Sequence, residues 1–180
     1  MAFEQVQSEI VYRGRAFNVR KDHVRMPNGL VTQLDIVEHV GAVTVAPLDE
    51  EGNLWFVRQY RHASGQDLLE LPAGTLEAGE APEACAAREI REEVGMRAGE
   101  LRKLGEFFLA PGYSTEYMHV YLATKLSADP LPGDVDEFLS VERVPLAQVG
   151  GLVQSGAIQD GKTLAVMYLL RSEWEATSPR

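Results

Sequence analysis

Two periods divide the chain. From Ile10 to Glu38 apolar and polar residues alternate in a stretch rich in β-branched side chains, interrupted at Met26-Pro27-Asn28-Gly29-Leu30. Asn-Gly accepts the positive φ of a tight turn, so this segment predicts a β-hairpin arm. Ala42–Leu48 and Leu54–Tyr60 are apolar β runs separated by the turn-rich Asp49-Glu50-Glu51-Gly52-Asn53, and they predict core strands. The period then lengthens to about 3.6. Pro82, which lacks the N–H that a first helical turn leaves unpaired, and Gly95, suited to the left-handed residue after a helix, bracket a predicted helix over Pro82–Val94. Leu104–Leu109, Tyr117–Thr124 and Phe138–Val144 read as further strands, and Pro145–Ser155 and Thr163–Trp174 as helices. The order of β-rich region, helix, β and helix predicts an α+β class with a mixed-sheet sandwich. Residues 1–40 form an N-terminal β arm and 41–180 the main domain in this reading.

Composition narrows the possibilities. The 180 residues are 45% hydrophobic and 24% charged, an ordinary globular mix that suits one domain with a core. Asp and Glu number 27 against 17 Lys and Arg, a net charge of −10, and no basic run occurs, which argues against a phosphate-backbone footprint for nucleic acid. No apolar stretch approaches membrane-spanning length, and Met1–Glu9 lacks the basic start and apolar middle of a signal peptide. No membrane partner and a cytoplasmic location are therefore expected. The single cysteine, Cys85, excludes an intrachain disulfide and is read as a small packing residue.

Charge becomes informative when it is placed. Glu70 to Glu93 holds seven glutamates and two arginines, half of the net charge of −10. Glu89, Glu92 and Glu93 share one face of the predicted helix, near its C-terminus. Like charges three and four apart repel, and the helix dipole disfavours anions at that end. A hard divalent cation removes the conflict, because Mg²⁺ binds through one or two carboxylates together with water and substrate phosphates. Arg88 can orient such carboxylates with its planar fork. Arg58 and Arg61, in Val57-Arg58-Gln59-Tyr60-Arg61, are the candidate phosphate contacts.

Gly74, five residues, Glu80, seven residues, then Arg88-Glu89-Ile90-Arg91-Glu92-Glu93-Val94-Gly95-Met96 matches every position of the motif G-x5-E-x7-R-E-U-x-E-E-x-G-U, with U apolar. The chain thus resembles the Nudix hydrolases, whose fold is an α/β/α sandwich and which cleave nucleoside diphosphates linked to another moiety. The resemblance implies Mg²⁺, with Mn²⁺ as a substitute, held by Glu89 and Glu93, with Glu92 as a further ligand or water contact and the Ala73 carbonyl completing the set. Glu80 is expected to anchor loop and helix geometry. A carboxylate-held cation activates water, and a second carboxylate takes its proton as it attacks phosphorus.

The motif defines the chemistry and leaves the leaving group open. Pro111, fifteen residues beyond Met96, and the segments VRQYR and ELPAG resemble the ADP-ribose pyrophosphatase subfamily. Tyr113 lies where diadenosine-polyphosphate hydrolases carry a tyrosine, and nucleotide sugars such as GDP-mannose are a further alternative. A nucleotide-sugar-sensing module without turnover is the competitor from another class. ADP-ribose, a small-molecule partner, is favoured, with AMP and ribose 5-phosphate as products. The subfamily places its general base on a loop outside the motif; Glu137 ranks first here, then Glu116, then Asp136. The resemblance also implies a homodimer whose N-terminal arm reaches the partner, with Gln33 and Asp35 as nucleobase contacts.

Overall fold

A computed structural model describes residues 2–133 and 138–171. Asp136 and Glu137 lie outside the described residues, as does Trp174.

The chain divides into two compact units. The first comprises Met1–Gly41 and Phe107–Tyr117. Its strands β1 (Glu4–Arg13), β2 (Asn18–Arg25) and β3 (Val31–Glu38) form an antiparallel sheet in the order β1-β2-β3. The expected turn joins β2 to β3: the Met26 amide donates to the Leu30 carbonyl at 2.7 Å, and the Leu30 amide donates to Asn28 Oδ1 at 3.0 Å. The 107–117 segment is tied to the same unit by backbone bonds between Val37 and both Tyr113 and Thr115, and by the Thr115 hydroxyl, which engages the backbone of His39. The alternating pattern thus made its strands as expected. The attachment of 107–117 comes from pairing that local patterning does not encode.

The second unit comprises Ala42–Glu106 and Met118–Arg180. Its strands are β4 (Ala42–Pro47), β5 (Asn53–Arg61), β6 (Gln66–Glu70), β7 (Ala73–Thr75), β8 (Met96–Phe108), β9 (Tyr117–Ala128) and β10 (Leu139–Pro145), β8 and β9 each crossing its boundary. One sheet has the order β7-β4-β9-β8, with β4 parallel to β9 and antiparallel to β7; the other, β10-β5-β6, is antiparallel. The helices are α1 (Pro82–Glu93), α2 (Leu146–Gln154) and α3 (Gly161–Leu169). Val43 and Val45 of β4, Val57 of β5, Cys85, Ala86 and Ile90 of α1 and Ala123 of β9 form one buried cluster, as an apolar helix stripe on an apolar sheet should. The mixed-sheet α+β class is the one expected.

Three departures have physical reasons. β6 and β7 were not anticipated, because an acidic five-residue strand and a three-residue strand over Gly74 carry little β propensity and exist through pairing with β5 and β4. β8 starts directly after α1 rather than near Leu104; its polar first half ends the sheet and so has no clean alternation. α3 starts at Gly161 rather than Thr163, because Asp160 caps it by accepting from the Thr163 amide at 2.9 Å. Gly95, at φ +71°, closes α1 in the left-handed conformation, as its sequence position predicts.

Candidate active site

The site is built on the last two turns of α1. Glu89 and Glu93 are 8% and 5% exposed, so α1 turns two carboxylates into the protein one turn apart. Such burial requires compensation. Arg88 supplies much of it. Its guanidinium makes a bidentate pair with Glu80, both bonds at 3.0 Å, and donates to Glu89 Oε1 at 2.6 Å and Glu92 Oε2 at 2.8 Å. One cation serving three carboxylates explains how the like-charged face survives in the fold. The Glu93 Oε2 accepts from the Ala73 amide at 3.0 Å, which fixes β7 beside the helix.

Gly74 is the second structural requirement. A Cβ placed there would lie 1.8 Å from Glu89 Oε1 and 1.9 Å from its carboxyl carbon. Only a residue without a side chain lets β7 pass the Glu89 carboxylate this closely. Among the described residues no three acidic, His or Cys side chains stand together closely enough to hold a metal by themselves. The buried pair Glu89 and Glu93, set in the cradle that Gly74 leaves open, nevertheless fits a hard cation, which takes one or two carboxylates and completes its sphere with water and phosphate oxygens.

Arg88 holds the Glu80 carboxyl down at about 2, against an opposing contribution from burial. Burial pushes the Cys85 thiol up to about 12, with the Glu89 charge acting in the same direction; Cys85 is fully buried and is an inert packing residue. Because the folded-state value of Glu80 is depressed from 4.5, its stabilisation is complete above about pH 5 and is lost as pH falls toward 2. Glu80→Gln is therefore expected to lower Tm at pH 7 by several degrees and to flatten the acid limb of a thermal-melting profile between pH 5 and 2. An acid limb identical to wild type would remove Glu80 from this role.

The two arginines of β5 part company. Three residues apart on a strand of period two, they point to opposite faces. Arg61 shares its face with Val57, which packs with Ile90 of α1; Arg58 faces the other way and pairs with Glu142 of β10 at 2.5 Å. The Arg61 guanidinium donates to Glu70 at 2.9 and 2.8 Å. Its pKa is raised, first by those bonds and also by the charges of Glu93 on α1 and of Asp160.

The remaining predicted residues are located as follows. Gln33 and Asp35 are exposed on β3, where Gln33 donates to Asp35 at 3.0 Å. Pro111 and Tyr113 sit in the 107–117 segment of the first unit, as does Glu116. Sequence reasoning passed over Asp160, Lys162 and Thr163, which converge on Glu70 and Leu71. A signal existed: a lysine in the first turn of a helix opposes the dipole, much as the glutamates do at the end of α1.

A mixed-sheet α+β domain whose helix end buries two carboxylates beside a strand that passes one of them at a glycine defines a class, and comparison with known proteins agrees. The NUDIX domain matches residues 38–167 and the nucleoside diphosphate sugar hydrolase N-terminal domain matches residues 3–32; the chain belongs to the Nudix family and is a hydrolase. It is 41% identical over 166 residues to an ADP-ribose pyrophosphatase of Mycobacterium tuberculosis, covering 91% of this chain and 80% of that one. It is 37% identical over 171 residues to an ADP-ribose pyrophosphatase of Bacillus subtilis, covering 93% and 92%. A crystal structure of an ADP compounds hydrolase superposes with a TM-score of 0.87 at 26% identity, covering 99% of this chain and 97% of that one. Among the described residues no helix is long and apolar enough to cross a membrane.

Proposed function

We propose that this protein is a cytoplasmic, Mg²⁺-dependent pyrophosphohydrolase that cleaves ADP-ribose to AMP and ribose 5-phosphate, with Mn²⁺ able to replace Mg²⁺. The observation that carries the reading is the buried pair Glu89 and Glu93 in the cradle cleared by Gly74, within a chain similar along most of its length to two ADP-ribose pyrophosphatases.

When bound, the cation neutralises diphosphate charge and lowers the pKa of a coordinated water. The protein does the rest. Glu89 and Glu93 supply the carboxylate ligands, with Glu92 and the Ala73 carbonyl as the remaining protein donors. Arg88 holds Glu89 and Glu92 in place. Arg61, whose side chain is 41% exposed while its Nε and Nη2 bind Glu70, takes phosphate oxygens in this reading through the N–H groups that the Glu70 pair leaves over. Water adds to phosphorus, the bridging P–O bond breaks, and the proton passes to a loop carboxylate, Glu137 first, then Glu116 or Asp136.

The second copy of a homodimer is assigned to the N-terminal sheet, which exposes the apolar side chains Val6, Ile10, Tyr12, Val31 and Leu34 over its two faces, residues of the kind that protein interfaces cover. The test is a panel of ADP-ribose, GDP-mannose, diadenosine polyphosphates and NADH, with and without Mg²⁺, read as AMP or GMP release, with the solution mass measured on the same sample. ADP-ribose is expected to be turned over fastest, and only with metal. Preference for another substrate would reassign the leaving group; no metal-dependent turnover of any would sink the enzyme mechanism.

A further inference from the structure

The second unit contains a charge quartet that includes the proposed phosphate contact, Arg61, and has two buried members, Glu70 and Lys162. Glu70, 1% exposed, accepts both Arg61 bonds and also pairs with the Lys162 ammonium, which is 8% exposed. Lys162 donates in addition to Asp160 Oδ2 at 2.9 Å, and that same oxygen accepts from the Thr163 amide at 2.9 Å and hydroxyl at 2.6 Å. Thr163 Oγ1 in turn accepts from the Leu71 amide at 2.9 Å. Two cations and two anions balance. Without Lys162, Arg61 alone would face Glu70 and Asp160, with Glu93 also close enough to act on it.

We propose that Lys162 is a positioning residue for substrate affinity: by neutralising the Glu70 and Asp160 pair it leaves the Arg61 guanidinium, aimed by Glu70, with positive charge to spend on a diphosphate. Three points support an electrostatic role over simple packing. Lysine is costly to bury and sits against the dipole at the start of α3, so a hydrophobic residue of similar volume would serve packing better. Its charge meets the same Glu70 oxygen that binds Arg61 Nη2, so the two cations share one anion. Arg61 remains 41% exposed although its carboxylate partner is almost wholly buried, so an anion can reach it.

The inference rests on Arg61 as a phosphate contact, and the test separates the two. Calorimetry in EDTA gives the Kd for ADP-ribose without turnover, and steady-state assays with Mg²⁺ give KM and kcat. Lys162→Met is expected to raise Kd and KM about tenfold, the effect of one uncompensated charge on an anion at intermediate dielectric, with kcat within about threefold of wild type. Lys162→Arg should restore most of the affinity. The double variant D160N/K162M, which returns the group to neutrality and keeps a capping side chain at position 160, should bind within about threefold of wild type, and it decides the matter should K162M alone not fold. Arg61→Gln is measured in parallel. If R61Q weakens binding while K162M does not, or if D160N/K162M binds as weakly as K162M, the Lys162 proposal is overturned. An unaltered Kd in R61Q would instead bring down the phosphate reading on which it stands.

Discussion

Glu93→Gln is expected to lower kcat by about two to four orders of magnitude, the usual span for removing a group that organises charge at the reacting centre. The side chain is 5% exposed, and its Oε2 accepts from the Ala73 amide at 3.0 Å. Glutamine has nearly the same shape, and its amide oxygen can accept that bond, so β7 stays beside α1. The variant removes one anion from a helix C-terminus, where the dipole disfavours it. Tm should therefore hold or rise slightly while turnover collapses, even at saturating Mg²⁺. That opposition between stability and activity distinguishes a ligand from a packing residue. Turnover close to wild type would remove Glu93 from the mechanism, and a large loss of Tm would show that its main work is structural.

Gly74→Ala has the second largest expected effect and acts through space alone. The new Cβ would fall 1.8 Å from Glu89 Oε1, far inside any van der Waals contact. Glu89 cannot easily swing aside, because Arg88 holds that same oxygen at 2.6 Å and the side chain is 10% exposed. The alternative is for β7 to move off β4, where Gly74 pairs with Val43. Either displacement shifts a carboxylate proposed to hold the cation relative to the segment that carries Ala73, and a shift of about 1 Å at a reacting centre costs on the order of 10²-fold in rate. Overpacking adds a stability loss of about 1–3 kcal/mol. Both kcat and Tm should fall, and a weakened dependence on Mg²⁺ concentration should accompany them. Gly151→Ala is the control: it lies within α2 with open space around its Cβ position, so activity should be unchanged and stability should rise by about 0.5–1 kcal/mol. Wild-type kinetics for Gly74→Ala would show that the close approach to Glu89 is dispensable.

The carboxylate helix was legible because its information is local. Glu89 and Glu93 share a face by helical period, Pro82 and Gly95 mark the two ends, and the broken charge rules point to a missing cation. The structure keeps the shared face and both helix ends. Arg88 was expected to orient carboxylates, and its bonds to Glu80, Glu89 and Glu92 do so. Arg58 and Arg61 show where local reading stops. In sequence they are one basic motif, three residues apart; on the strand they occupy opposite faces, and only Arg61 lies on the side of Val57 and Ile90. The parity argument was available, but which face of β5 meets α1 depends on the sheet's neighbours.

Composition and period by themselves determined the α+β class and the helix that carries the carboxylates, and the motif's spacing, through its resemblance, the hydrolase family, because each is written in short-range order or in residue type. Tertiary structure alone decided that Gly74 is needed for the room it leaves Glu89, that β6 and β7 exist at all, and that Glu70 is buried between Arg61 and Lys162, 92 residues further along. Those features depend on contacts between segments distant in the chain, and no periodicity within either segment records which partner the fold will bring to it.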